Sequence, residues 1–188
     1  SYLNESFDLY KNGFETKVLI ENGTLTMFSF LNVIRIALKL DQFEWTKNFI
    51  EHYQQFLDPK LRNHIVDYSL AKWHFEQGAY DQAMELLIFA DFEDILLNLS
   101  AKSMLLKIYY EKDEQDALES LLESMRTYIQ RKQLMGYHKS NYLNLIKLTK
   151  KLVHINPFDK TQNEKLRKEI EETSPLTEKE WLIAQLKI

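Results

Sequence analysis

The chain has 188 residues, 24 Lys and Arg against 28 Asp and Glu, a formal net charge of −4 and 45% hydrophobic residues. That apolar content supports a packed core, and with only 4 Gly and 3 Pro it excludes disordered, collagen-like and turn-rich β chains. The absence of cysteine removes disulfides, thiolate metal sites and cysteine nucleophiles together, and it fits a reducing compartment. The longest uncharged run, Asn22 to Ile34, is 13 residues and too short to span a bilayer, which takes about 20. No basic segment followed by an apolar one opens the chain, so the expectation is a cytoplasmic protein with no membrane partner. The sequons at Asn22-Gly23-Thr24 and Asn98-Leu99-Ser100 then read as turn and cap chemistry.

In chain order, apolar residues recur at helical steps, as in Phe28, Leu31, Ile34 and Leu38, in Leu61, Ile65 and Tyr68, and in Leu105, Ile108 and Tyr109. The pattern predicts helices over 2–12, 26–40, 42–57, 60–77, 80–90, 100–111, 114–133, 138–155, 161–173 and 177–188, with one extra turn open over 92–97. Thr26 and Ser100 are the expected N-caps, and Thr177 with Glu180 has the capping-box spacing after the stop at Pro175. Pro59 suits a first helical position, and Gly13, Gly23 and Gly78 suit helix ends.

A longer period lies over these helices. Segments 36–50 (IALKLDQFEWTKNFI), 73–87 (WHFEQGAYDQAMELL) and 108–122 (IYYEKDEQDALESLL) align on the turn residues Asp41, Gly78 and Asp113, which lie 37 and 35 residues apart. Five residues beyond each turn stand Thr46, Ala83 and Leu118, and two beyond stand Phe43, Tyr80 and Gln115. The middle unit, with Ala71, Gly78, Tyr80 and Ala83, resembles a tetratricopeptide repeat, whose period is about 34 residues. The first unit departs from that pattern with Ile34 and Asp41, and the third with Leu106 and with Ala117 one place early. The stretches 116–134 and 142–152 also resemble the C-terminal part of uncharacterised bacterial repeat proteins. The resemblance implies an all-α, right-handed superhelix in one domain over 1–188. Its repeats would cover 26–58, 60–97, 99–133 and 138–173, closed by a cap over 177–188. A first helix without an upstream neighbour suggests an array that begins earlier, since each repeat buries its apolar face only by stacking.

Nothing in the sequence reads as an enzyme. It has no nucleophile elbow, phosphate-binding glycine loop, dinucleotide fingerprint or zinc-helix motif. His52, His64, His74, His138 and His154 never fall at ligand-pair spacing, so neither metal nor cofactor is expected. His74 beside Phe75 reads as packing, and so does the stripe Tyr53, Phe56, Trp73, Phe75 and Tyr80. The pairs Glu93/Asp94 and Glu171/Glu172 read as solvated charges.

Charge is distributed unevenly. Residues 1–125 carry −10, 126–168 carry +9 and 169–188 carry −3. In the basic block, Arg126, Arg131, Lys132, Lys139, Lys150 and Lys151 are interleaved with Tyr128, Tyr137, His138 and Tyr142, the footprint of a polyanion site. The same block equally suits a solvated face that balances the acidic half of this chain or of a neighbouring copy. Arg35, Lys72 and Lys107 each stand 11 residues before Thr46, Ala83 and Leu118, and Lys147 extends the row. In tetratricopeptide proteins the first helix of each pair lines a concave peptide groove. The resemblance therefore makes these four cations, with Leu31, Leu38, Tyr68, Phe75 and Tyr110, candidates for binding an acidic peptide. Three functions fit the sequence: a scaffold for a protein or peptide partner, an RNA or polyanion module using 126–168, and a structural or dimerisation domain of a longer chain.

Overall fold

The computed structural model describes residues 2–186, which form ten α-helices and no strand. Ser1 and residues 187 and 188 of the expected cap lie outside the described residues. The helices are α1 Tyr2–Glu15, α2 Met27–Lys39, α3 Phe43–Tyr53, α4 Arg62–Glu76, α5 Tyr80–Leu87, α6 Ile95–Glu111, α7 Gln115–Arg131, α8 Gly136–His154, α9 Lys160–Glu172 and α10 Lys179–Ala184. They divide into two compact units, one reaching to Glu93 and one beginning at Asp94.

The repeat turns share one backbone form. Asp41, Gly78 and Asp113 all take left-handed φ values, 55°, 71° and 56°. Each turn closes with the same two hydrogen bonds: Asp41 N to Leu38 O and Gln42 N to Ala37 O, Gly78 N to Phe75 O and Ala79 N to His74 O, Asp113 N to Tyr110 O and Glu114 N to Tyr109 O. These bonds satisfy carbonyls that a helix end otherwise leaves unpaired. The result is three hairpins, α2–α3, α4–α5 and α6–α7. Their aligned positions Ile34, Ala71 and Leu106, and Thr46, Ala83 and Leu118, are all buried. Gln133, with φ 51°, repeats the turn at the end of α7.

In the first unit α2 packs against both α3 and α4, and α4 pairs with α5. Phe30, Val33, Ile34 and Ala37 of α2 meet Phe49 and Ile50 of α3 and Ile65 of α4 in one core. The apolar face of α1 is covered there too: Phe7 meets Trp45 edge-on at 4.8 Å, and Phe14 meets Phe49 at 4.8 Å. Trp73 Nε1 donates to Phe43 O at 2.8 Å, fastening α4 to the start of α3. In the second unit Leu99, Leu106 and Ile108 of α6 are fully buried, as are Leu122, Met125 and Ile129 of α7, Leu145 and Leu148 of α8, Ile170 of α9 and Leu182 of α10.

The helix signals divide into kept and broken. Thr26 caps α2, accepting from Ser29 N at 3.2 Å. Pro59 stands in the turn that leads into α4, where Asp58 accepts from the Leu61 and Arg62 amides. Asn22 and Gly23, both at positive φ, form a tight turn closed by reciprocal bonds between Glu21 and Thr24. Other expectations fail. Gly23 lies in that turn, eight residues past the end of α1, rather than at a helix end, and the second sequon lies inside α6, with Asn98 buried, rather than at a turn or cap. Ser100 lies inside α6, whose cap is Asp94, accepting from Leu97 N at 2.7 Å, so only residues 95–97 of the extra turn belong to that helix. Thr177 and Glu180 form no capping box, because Glu178 precedes α10 in the left-handed conformation and caps nothing with its side chain. Gly13 is interior to α1 rather than at its end. A Cβ there would come within 2.8 Å of Leu19 Cδ1, so the missing side chain lets Leu19 close over the helix.

Candidate functional site

In the first unit the candidate cations lie on the first helices of the two hairpins. Arg35 is exposed on α2, one residue past the buried Ile34, and its Nη2 donates to Asn32 Oδ1 at 3.3 Å. It borders a cavity of about 370 Å³ between α1 and α2, together with Tyr10, Asn32, Ile36 and Lys39. Lys72 holds the same register on α4 and pairs with Glu76 one turn on, at 3.2 Å. The apolar candidates divide. Leu31 is half-buried against the core, and Leu38 is buried within it. Tyr68 is buried, edge-on to Phe92 at 5.9 Å. Phe75 stays half-exposed beside Tyr80 at 5.5 Å. Leu38 and Tyr68 are thus packing residues rather than groove lining. His74 lies against the Trp73 ring at 4.9 Å, and burial and then Lys47 hold its pKa below the usual imidazole value. It is neutral at pH 7, as a packed histidine is.

In the second unit the row is engaged from within. Lys107 Nζ lies 2.8 Å from Glu178 Oε2, and its side chain keeps only 12% of its exposure. One turn on, Tyr110 meets Trp181 edge-on at 5.3 Å. Asn144 Nδ2 donates to Pro175 O at 2.9 Å, so the stretch from Pro175 to α10 lies over α6 and α8. Lys147 pairs with Glu169 at 3.1 Å. Burial, then Glu111 and Asp113, raise the Tyr110 pKa above the usual phenol value, and burial with Glu114 does the same for Tyr109. Lys107 and Tyr110 are therefore not open groove positions, because their partners are supplied 71 residues away in sequence, whereas the Lys147 side chain keeps 61% of its exposure beside Glu169.

No family model, curated protein or solved structure matches the chain.

The polyanion candidates sort by their neighbours. Lys150 Nζ pairs with Glu123 at 3.3 Å, and Lys151 reaches both oxygens of Glu169 at 2.7 Å. Those two have an acid beside them. The hydrogen bond from Lys151, with Lys147 beside it, holds the Glu169 carboxyl below the usual carboxylate pKa. Arg126, Arg131, Lys132 and Lys139 are exposed and make no ion pair among the described residues. Lys132 lies over the Tyr128 ring at 5.8 Å, and Lys102 approaches the same ring at 6.0 Å. Around the turn between α7 and α8, Met135 and Tyr137 keep 79% and 66% of their exposure. The spacing of the cations was visible in sequence, but which of them face an acid was not. Among the described residues no group of three or more His, Asp or Glu could hold a metal ion, and no helix is long and apolar enough to cross a membrane.

Proposed function

We propose that this chain is a non-catalytic helical-hairpin scaffold, of the kind its tetratricopeptide resemblance implies, that takes an acidic protein or peptide partner. The observation that carries the reading is the turn at Asp41, Gly78 and Asp113. One backbone geometry recurs there, with the same positions buried on both helices and a cation directly after the buried residue of each first helix. Recurrent units that bury their faces on neighbours suit a right-handed solenoid, and solenoids present extended binding surfaces. Within that reading the first unit supplies the open cations. Arg35 and Lys39 border the cavity beside α1, and the pair Lys72–Glu76 lies near the surface, where such pairs contribute about 0–1 kcal/mol and exchange partners readily. An acidic segment gains charge-assisted hydrogen bonds from Arg35 and from Lys72 released by Glu76. The absence of cysteine supports a cytoplasmic setting.

The test is affinity capture from nuclease-treated lysate of the native organism, with wild type and with the Arg35→Glu, Lys72→Glu double variant. Proteins retained by wild type and lost by the variant support the reading. Equal retention overturns the cation assignment, and a wild type that retains nothing overturns the scaffold.

A further inference from the structure

We propose that the corner where α7 turns into α8 is a binding site for single-stranded nucleic acid, separate from the peptide surface of the first unit. Two side-chain contacts join the helices. His154 Nε2 faces Glu119 Oε1 at 3.7 Å, and Lys150 faces Glu123 at 3.3 Å. These pairs set an antiparallel register in which each step along α7 moves one step back along α8. The next step along that stripe places Arg126 of α7 against Lys147 of α8, two cations with no acid of either helix between them. From residue 124 to residue 158 the chain holds seven Lys and Arg and no Asp or Glu. The acid for Lys147 comes from α9, where Glu169 also holds Lys151. Nothing supplies one for Arg126, Arg131, Lys132 or Lys139 among the described residues.

Arg131, Lys132 and Lys139 lie at the adjoining ends of α7 and α8, with Arg126 further back along α7, and the positive potential of these unpaired cations favours a polyanion. The aromatic residues narrow its class. Tyr137 stands exposed at the head of α8, between Lys132 and Lys139 in sequence, its ring edge-on to His138 at 5.5 Å. A ring presented to solvent between cations matches a strand that offers phosphates and unpaired bases alternately, since bases stack on such rings. A duplex hides its base faces, and an acidic peptide has none, so either would leave Tyr137 unused.

The experiment uses the full chain and fluorescence anisotropy, with labelled oligouridine and oligothymidine of about 12 nucleotides and an oligoglutamate of equal length. Four phosphate contacts give a slope of log affinity against log salt of about −3, or roughly 50-fold weaker binding on going from about 50 to about 200 mM salt. The Arg131→Gln, Lys132→Gln, Lys139→Gln variant, with one cation left, falls to a slope of about −0.7. Tyr137→Ala weakens binding about 10-fold with the slope unchanged, because stacking releases no counterions. These residues are exposed, and thermal unfolding by circular dichroism verifies that each variant folds. Arg35→Glu with Lys72→Glu leaves oligonucleotide binding intact, so failure here and failure of the scaffold reading are told apart. The proposal is overturned if neither oligonucleotide binds at about 50 mM salt, if oligoglutamate binds as tightly, or if the triple variant or Tyr137→Ala binds like wild type.

Discussion

Replacing Gly78 by Ala tests the shared turn directly. Gly78 sits at φ 71°, and nothing lies within 4 Å of where a Cβ would be placed, so the substitution meets no steric neighbour. Only the backbone is perturbed. The left-handed conformation costs an L residue about 1–2 kcal/mol. Against this, the alanine chain has fewer unfolded conformations to lose, an offset of about 0.4–1 kcal/mol. The expected net loss is therefore about 1 kcal/mol, which lowers the melting temperature of a unit this size by roughly 4–8 °C. Gly78→Asp should recover part of that loss, because Asp41 and Asp113 occupy the same conformation in the sister turns and short polar side chains tolerate it. Urea unfolding followed by circular dichroism, with the slope held constant, reads both values. A Gly78→Ala variant within about 0.3 kcal/mol of wild type, or an Asp variant worse than the Ala one, would refute the claim that this turn demands a left-handed residue.

Two further predictions concern the second unit. Asp94→Ala removes the cap of α6 and should destabilise by about 1 kcal/mol in the same urea assay, whereas a neutral result would return the helix start to Ser100. For Glu169, whose folded pKa lies below its ordinary value of 4.5, the contribution to stability is full above that value and is lost as pH falls through the folded one. Glu169→Gln should therefore be less stable than wild type near neutral pH, with the difference shrinking as pH falls below the ordinary carboxylate value; a pH-independent difference would contradict the pairing with Lys151 and Lys147.

The helices and hairpin turns could be read from sequence because their signals are local. A left-handed turn accepts few residue types, so Asp41, Gly78 and Asp113 stood out, and the same period placed Ala71 and Ala83 in the core. The start of α6 was misread because Glu93 and Asp94 look like any exposed acidic pair. Only the Asp94 contact with the Leu97 amide distinguishes a cap from a solvated charge. The cation row failed in part for a different reason. Spacing sets the register of Lys107 on its helix, but Glu178 arrives from far along the chain and leaves no mark near Lys107. In the same way, counting found the basic block, while the division between Lys150 or Lys151 and the four free cations depends on where α7 and α9 place their acids.

The two main-chain hydrogen bonds that close each repeated turn do not involve the side chain at its left-handed residue, although Gln42 Nε2 adds a bond to Leu40 O in the first. That side chain is consequently free to take on other work. At Asp41 it is a surface charge. At Asp113 the carboxylate borders a cavity of about 400 Å³ beside Tyr109, Tyr110 and Glu114. The corner of a hairpin is thus a place where this protein can alter the charge around a cavity and leave the hairpin closed.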